Sequence, residues 1–302
     1  MDFVEKDIYF AVQEEKKVKK YIILYNPKSG NGTGGQVVDK LKELISDEKE
    51  FIDITTVKDY AEIFSGLGEE DALVICGGDG TLNRFANDAG DILPKNDVLF
   101  YATGTGNDFL NDLGKTPGTL VKVNDYLVGL PTVTVNGMTR KFINGIGYGI
   151  DGYCCEVGDQ LREKSDKPIN YAGIAIKGLL FHYKPTNARI TVDGVTKEYK
   201  KVWIAPTMNG RFYGGGMNAA PDQNRLDNAT ATSMVMYGKG RIKTLTVFPS
   251  IFKGEHVKHT EMVDVRAGRE IKVEFDSPRA LQIDGETVLN VSEYTVRTKE
   301  AK

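Results

Sequence analysis

The chain has 302 residues, 40% of them hydrophobic and 27% charged, with a formal net charge of -3. A single core rarely grows to that length, so two domains are expected, and the charge balance excludes the overall basic field that nucleic-acid binding calls for. Cys76, Cys154 and Cys155 show no metal-ligand spacing, and an adjacent pair is poorly placed for an ordinary disulfide, so a reducing, cytoplasmic setting is expected.

Residues 1–20 mix Glu, Lys and Asp with scattered apolar positions, contain no apolar signal-peptide core and read as a solvated N-terminal extension. Residues 21–25, Tyr-Ile-Ile-Leu-Tyr, are a short apolar run stopped by Asn26-Pro27, the pattern of a buried strand and a turn, and far too short to span a membrane. After a glycine-rich loop, Val37, Val38, Leu41, Leu44 and Ile45 recur at helical spacing. The unit repeats as a strand over 51–56, a helix over 59–67, a strand over 72–76, a helix over 81–89 and a strand over 98–103. This alternation predicts an α/β domain over residues 21–130, built on a parallel sheet covered on both faces. From about residue 130 the chain changes to short alternating segments at 132–135, 188–192, 202–206, 233–237, 271–275 and 294–297, separated by Gly and Asp-Gly turns. They predict an antiparallel β domain over residues 131–302, interrupted by helical patches at 153–163 and 171–183.

Gly77-Gly78-Asp79-Gly80-Thr81 lies between a predicted strand and the helix after it, the crevice where α/β sheets bind ligands. The glycines keep side chains away from backbone N–H groups, and the helix N-terminus adds its dipole, so the loop suits phosphate. An Asp among such donors points to a divalent cation or a proton relay; the alternative is that Asp79 only caps the following helix, and the loop alone leaves both open. Asn26-Pro27-Lys28-Ser29-Gly30 and Gly104-Thr105-Gly106-Asn107-Asp108 follow two other predicted strands. Parallel strands end at one edge of the sheet, so the three loops can converge on one ligand. Ser29, Thr81 and Thr105 offer hydroxyls to phosphate, Lys28 a charge, and Asn26 and Asn107 loop geometry or sugar contacts; each alone is also an ordinary turn residue. Neither loop matches the longer phosphate-binding loop of ordinary nucleotide hydrolases or the dinucleotide fingerprint.

Asn26-Pro-Lys-Ser-Gly30, Gly77-Gly-Asp-Gly-Thr-Leu-Asn83 and Gly104-Thr-Gly-Asn-Asp-Phe109 resemble the three nucleotide-site motifs of the diacylglycerol kinase catalytic domain. The resemblance continues through residues 142–149, Gly214-Gly-Gly-Met217 with Pro221, and Ile283-Asp-Gly-Glu286, and covers nearly everything after Tyr21. It implies an α/β nucleotide-binding domain, a C-terminal β-sandwich, ATP with Mg2+ as the phosphoryl donor system, and a lipid alcohol as acceptor met at a membrane surface. It further implies that Asn26, Pro27, Lys28, Ser29, Gly30, Thr56, Gly77, Gly78, Asp79, Gly80, Thr81, Leu82, Asn83, Gly104, Thr105, Asn107 and Asp108 bind the nucleotide. Asp79 and Asp108 would lie by phosphates or catalytic metal. Glu286 takes the position of the base that accepts the lipid hydroxyl's proton, against the plainer reading of an Asp-Gly hairpin with Glu286 exposed beside it.

At one place the chain departs from the pattern. Bacterial relatives often carry Leu-Asp-Asp-Gly where this chain has Leu226-Asp-Asn-Ala229, and the second acid there holds a structural magnesium. Asn228 replaces that carboxylate, with Arg225 and Thr230 at the carbonyl-donating positions; a neutral amide is a weaker ligand for a hard cation, so no tight structural ion is expected. Phe212-Tyr213 and the glycines after them read either as an apolar lip for an acyl chain or as a turn packed into the sandwich. The helix at 171–183 reads as core or as a surface for an anionic bilayer. His182, His256 and His259 form no catalytic set, and Trp203 is expected in the core. A soluble-substrate kinase similar to NAD kinase and a nucleotide-binding regulator without catalysis are the competing readings. The acyl preference and oligomeric state are not legible in the sequence.

Overall fold

The computed structural model of the chain describes residues 18–27, 34–103, 106–164, 169–226 and 229–299. Its first part alternates strand and helix as β1 (Lys20–Tyr25), α1 (Gly34–Leu44), β2 (Glu48–Asp53), α2 (Tyr60–Ser65), β3 (Ala72–Gly77), α3 (Asp79–Asp88), β4 (Asp97–Ala102), α4 (Asp108–Asp112), β5 (Leu120–Lys122) and α5 (Asn124–Leu127). The strand order is β2-β1-β3-β4-β5. The first four pair in parallel, and β5 adds an antiparallel edge to β4. Every residue of the central β3 is buried, as a strand covered on both faces requires. Leu73 and Ile75 pack with Leu82 and Phe85 of α3 on one face, while Ile23, Val74 and Cys76 pack with Val37 and Leu41 of α1 on the other. The strand expected to reach residue 56 stops at Asp53. Its carboxylate accepts from Thr55 N at 2.8 Å and winds Ile54–Thr56 into a 3-10 turn.

The second part comprises β6 (Thr132–Val135), β7 (Met138–Lys141), β8 (Gly145–Tyr148), α6 (Ile150–Arg162), α7 (Tyr171–Lys177), β9 (Thr186–Val192), β10 (Val195–Val202), β11 (Thr207–Met208), β12 (Phe212–Tyr213), β13 (Met217–Asn218), β14 (Ala231–Met236), α8 (Arg241–Val247), β15 (Val263–Gly268), β16 (Glu270–Ile283) and β17 (Glu286–Arg297). Here the paired strands are antiparallel, and β16 is the spine of the sandwich. Residues 271–275 of β16 pair with β9, residues 281–283 pair with β8, and register shifts fall between. A break of this kind lets one long strand serve both layers. The layers enclose Ile146, Tyr148, Ile190, Val273, Leu281, Tyr294 and Val296. A second apolar layer, with Trp203, Met208, Met234 and Met236, is covered by Ile150 and Cys154 of α6, by Leu179, and by Val247 of α8.

The strand expected over 202–206 does not form. Lys201 has a left-handed backbone (φ 55) where the β9–β10 register shifts, and beyond Val202 only Ile204 makes isolated bridges, to Gly149 and Met236. The helical patch at 171–183 divides into α7 and a π-helical turn, Gly178–His182. α8 and the 3-10 turns Phe248–Lys253 and Glu255–Lys258 were not expected, because pieces of one or two turns show no sustained period.

Asp151 in α6 is buried beneath β16, where Gln282 Nε2 donates to its Oδ2 at 3.0 Å, and burial pushes its carboxyl up to about 6. The folded protein thus holds this proton where an unfolded Asp, titrating near ~4, has released it, so the group's contribution to stability falls as pH rises from about 4 to about 6. Asp151→Asn is expected to stabilise the protein at pH 7.5 by about 2 kcal/mol and to flatten this part of the pH dependence. Melting curves of parent and variant at pH 5 and 7.5 would show the two converging at the lower pH.

Candidate active site

The ends of β1, β3 and β4 meet at one edge of the first sheet. Asn26 N donates to Cys76 O at 3.2 Å and Asn26 Nδ2 to Thr81 Oγ1 at 3.3 Å, while Thr103 N donates to Gly77 O at 2.9 Å. The predicted convergence is therefore present at the described strand ends, where Asn26, Gly77, Thr81 and Thr103 meet. Gly77 has to be glycine, since a Cβ there would stand 2.4 Å from Thr81 Oγ1. Gly80 is exposed on the first turn of α3, with no atom within 4 Å of where a Cβ would be. Leu82 is core, and Asn83 is buried and turned toward the second domain. Asn107 precedes α4 in a left-handed conformation (φ 30), which Asn tolerates. Thr56 follows β2, and its hydroxyl donates to Asp53 O at 2.8 Å. Lys28, Ser29, Gly30, Gly104, Thr105 and Asn228 lie outside the described residues.

Asp79 is the first residue of α3. The helix is capped by Gly78 without a side-chain bond, which removes the reading of Asp79 as an N-cap. Instead Asp79 Oδ2 accepts from Phe109 N at 3.1 Å and from Asn144 Nδ2, in the second domain, at 2.9 Å. Oδ1 is buried and has no hydrogen-bond partner among the described residues. Burial holds the carboxyl above the ordinary Asp range, opposed by the bonds from Phe109 and Asn144 and by the charge of Arg225.

Asp108 opens α4 and is likewise buried. Gly215 N donates to its Oδ2 at 2.8 Å and Gly216 N to its Oδ1 at 2.7 Å. Gly214, Gly215 and Gly216 have φ of 62, 83 and 104, a backbone open chiefly to glycine, and this turn between β12 and β13 aims two N–H groups at one carboxylate. The turn leaves Gly214 and Gly215 exposed while Tyr213 before it is buried. Burial, with Asp79 and Asp284 adding repulsion, still pushes Asp108 up to about 6 against those two bonds.

The β16–β17 connection is a two-residue turn with positive φ at Asp284 (46) and Gly285 (91), the Asp-Gly preference of tight hairpins. The Asp284 carboxylate is far more than a turn residue. It accepts from Ile143 N at 2.6 Å, Asn144 N at 2.9 Å, Gly145 N at 2.9 Å and, across the domain seam, Asn83 Nδ2 at 2.5 Å. Glu286, two residues on, is exposed at the start of β17 and ion-paired with Arg140, whose Nη2 donates to Asn83 Oδ1 at 2.8 Å. Glu286 therefore stands at the seam but outside the buried acids.

A buried guanidinium completes the network. Arg225 Nε donates to Asp112 Oδ2 at 2.7 Å, Nη2 to Asn144 Oδ1 at 2.8 Å and Nη1 to Ile143 O, with the guanidinium over the Phe109 ring at 4.8 Å. Arg211 Nε donates to the other oxygen of Asp112 at 2.7 Å. By taking the amide oxygen of Asn144, Arg225 leaves its NH2 facing Asp79. The sequence reading gave Arg225 only a backbone carbonyl role and missed this side-chain role, together with Asp112, Asn144 and Asp284. Asn144 and Asp284 fall inside segments that carry the family resemblance, which was the available signal. Thr230 O accepts from Gln223 Nε2 at 3.0 Å.

The unpartnered Oδ1 of Asp79 is a hard oxygen suited to Mg2+. Among the described residues no group of three His, Cys, Asp or Glu side chains could hold an ion alone. Mg2+ is commonly held by one or two carboxylates with substrate phosphates and water completing the shell, so Asp79, with Asp108 beside it, fits that mode.

A family model described as the diacylglycerol kinase catalytic domain matches residues 20–142, and one described as the YegS C-terminal NAD kinase beta sandwich-like domain matches residues 144–297. A diacylglycerol kinase from Mycobacterium tuberculosis is 27% identical over 266 residues, 83% of this chain and 84% of its own. A diacylglycerol kinase from Bacillus subtilis is 25% identical over 282 residues, covering 89% and 90%. A diacylglycerol kinase crystal structure from Bacillus anthracis shares the fold at a TM-score of 0.57 and 18% identity, covering 94% of each chain.

Proposed function

The chain belongs to the diacylglycerol kinase catalytic domain family, with the YegS-type sandwich as its second domain, and from that premise we propose that it is an ATP-dependent lipid kinase whose acceptor is diacylglycerol. The observation that carries the reading is the buried oxygen of Asp79 at a helix N-terminus, without a hydrogen-bond partner among the described residues, with Asn144 of the other domain on the opposite oxygen. Relatives named diacylglycerol kinase cover most of the chain, which supports the choice of acceptor.

In this reading the strand-end segments at Asn26–Gly30, Gly77–Asn83 and Gly104–Asp108 cradle the triphosphate, and the first turn of α3 presents its N–H groups to it. Asp79 and Asp108 would hold Mg2+, which when bound supplies neutralisation of charge on the transferring phosphoryl group. The lipid hydroxyl oxygen attacks the γ-phosphorus, the bond to the leaving ADP oxygen breaks, and the hydroxyl proton passes to the carboxylate of Glu286. Arg140 steadies Glu286 at the seam while leaving it exposed to an incoming hydroxyl. No helix among the described residues is long and apolar enough to cross a membrane; the protein is proposed to act from the cytoplasm, meeting the bilayer transiently.

Glu286→Gln is expected to bind ATP within about twofold of the parent and to lose transfer by ~10² to 10⁴. Turnover equal to the parent's would remove Glu286 as the base. The likeness of the second domain to the NAD kinase sandwich favours one competing acceptor, so the assay includes NAD beside a lipid panel. Phosphorylation of NAD with no lipid product would replace the lipid reading.

A further inference from the structure

The proposed transfer leaves one buried acid without a task. Asp151, in the first turn of α6, lies under β16, and its Oδ2 accepts from Gln282 Nε2 at 3.0 Å. Gln282 is itself only 3% exposed. The other end of its amide reaches the turn that carries Glu286, where Oε1 accepts from Gly285 N at 2.6 Å. The polarity of this chain of bonds is forced. A backbone N–H can only donate, so the amide oxygen has to face Gly285, and the NH2 is left for a carboxylate.

The neighbouring positions are cleared to admit the contact. Gly147 is opposite Gln282 in the β8–β16 pairing, and a Cβ there would stand 1.4 Å from Asp151 Oδ2 and 2.7 Å from Gln282 Nε2. Gly152 lets α6 lie directly against β16, since its Cβ would fall 1.9 Å from Ala280 O. The helix is fixed in turn by Ile150 N, which donates to Trp203 O at 2.8 Å. Further along the same side of α6, Asp159 Oδ2 accepts from Thr287 Oγ1 at 2.6 Å. Glu286 therefore stands between two ties to one helix, through Gly285 before it and Thr287 after it. The first N–H of the turn, that of Asp284, donates to Gly145 O at 3.1 Å, and Gln282 secures the second. Because Glu286 is exposed, with Arg140 on its side chain, the place of its carboxylate depends on where this turn sets its backbone.

We propose that Gln282 is a positioning residue for phosphoryl transfer: held by Asp151, it fixes the Asp284-Gly285 turn so that Glu286 meets the lipid hydroxyl. A displacement of about 1 Å from the productive geometry can cost ~100-fold in rate, so one bond that fixes a turn carries a kinetic effect without touching substrate. The inference rests on the reading of Glu286 as the base.

The test is steady-state kinetics of the full chain with ATP, Mg2+ and diacylglycerol in mixed micelles. Gln282→Met keeps the length of the side chain and removes both bonds; it is expected to lower kcat by about 10- to 100-fold with KM for ATP and lipid within about twofold. In a Glu286→Gln background the same substitution should cost less than about threefold, because the base that it positions is already gone. Exchanging the pair, Asp151→Asn with Gln282→Glu, preserves one carboxyl and one amide: the new amide donates to the new carboxylate, which still accepts from Gly285 N. This exchange should recover kcat to within about fivefold of the parent, whereas Gln282→Glu alone, which sets two carboxyls face to face, should not. It also decides the matter where the Met variant fails to fold. A folded Gln282→Met that turns over like the parent, or an exchange no faster than Gln282→Glu alone, would overturn the proposal. So would an equal loss in both backgrounds, since Gln282 would then act through packing and not through Glu286. Glu286→Gln turning over like the parent would remove the base reading and this inference with it, whereas loss in Glu286→Gln beside a parent-like Gln282→Met removes the inference alone.

Discussion

Asp79→Asn is expected to lower phosphoryl transfer by about a thousandfold while leaving the fold intact or slightly more stable. Asn can keep an oxygen toward Phe109 N and Asn144 Nδ2, the two donors now on Oδ2. It puts an NH2 where the unpartnered Oδ1 stands, which removes the hard anionic ligand and turns a donor toward phosphate. Burial already disfavours the ionised form at this position, so neutralising it relieves the folded state. Loss of activity with a melting temperature at or above the parent's is a combination that damage to packing would not produce. Steady-state kinetics and thermal melting on the same preparation check it. Activity within tenfold of the parent would remove Asp79 from the centre of the reaction.

Asp284→Ala should act on stability first. Four donors converge on this carboxylate, three of them consecutive backbone N–H groups at Ile143, Asn144 and Gly145 and the fourth Asn83 Nδ2 from the other domain. Leaving a buried donor without an acceptor costs roughly 1–3 kcal/mol, and stripping one partner from a buried charged network roughly 3–5 kcal/mol. Because the donors share the gap and can recruit water, an overall loss of about 4 kcal/mol is expected, a large fraction of an ordinary domain's ~5–15 kcal/mol. Transfer should fall as well, since Asn144 loses one of the contacts that place its amide on Asp79. Denaturant midpoints of Asp284→Ala and Asp284→Asn are the measurement. The Asn variant, keeping one acceptor oxygen, should lie between Ala and the parent. A midpoint for Ala equal to the parent's would contradict the bridging role.

The α/β half was legible because its signals are local and strong. Fully apolar β3 and the helical stripe of Val37 and Leu41 do not fit any other element, and parallel strands deliver their following loops to a common edge whatever the detail between them. The antiparallel character of the second half was equally plain from alternation. What could not be read were features made by distant residues meeting. Asp284 in an Asp-Gly turn is a turn residue on local evidence, and indeed forms one; only its contacts with residues 143–145 and with Asn83 reveal the rest. Arg225 was read for its backbone because its guanidinium acquires meaning only when Asp112, Asn144 and Phe109 surround it. Gly210 shows the same dependence: a Cβ there would lie 1.9 Å from Arg225 Nη2, a constraint no turn rule contains. The strand expected over 202–206 is absent for a smaller reason: β10 ends at Val202, one residue past the left-handed Lys201, and beyond it only Ile204 makes isolated bridges.

The most direct measurement is transfer of the labelled γ-phosphate of ATP by the purified chain, with Mg2+ and diacylglycerol in mixed micelles, followed by separation of the lipid products. Label is expected to accumulate in a phospholipid linearly with time for the parent and about a thousandfold more slowly for Asp79→Asn. Label that stays in ATP and inorganic phosphate, or that reaches lipid equally with both proteins, would contradict a phosphoryl-transfer site built on the aspartates at the domain seam.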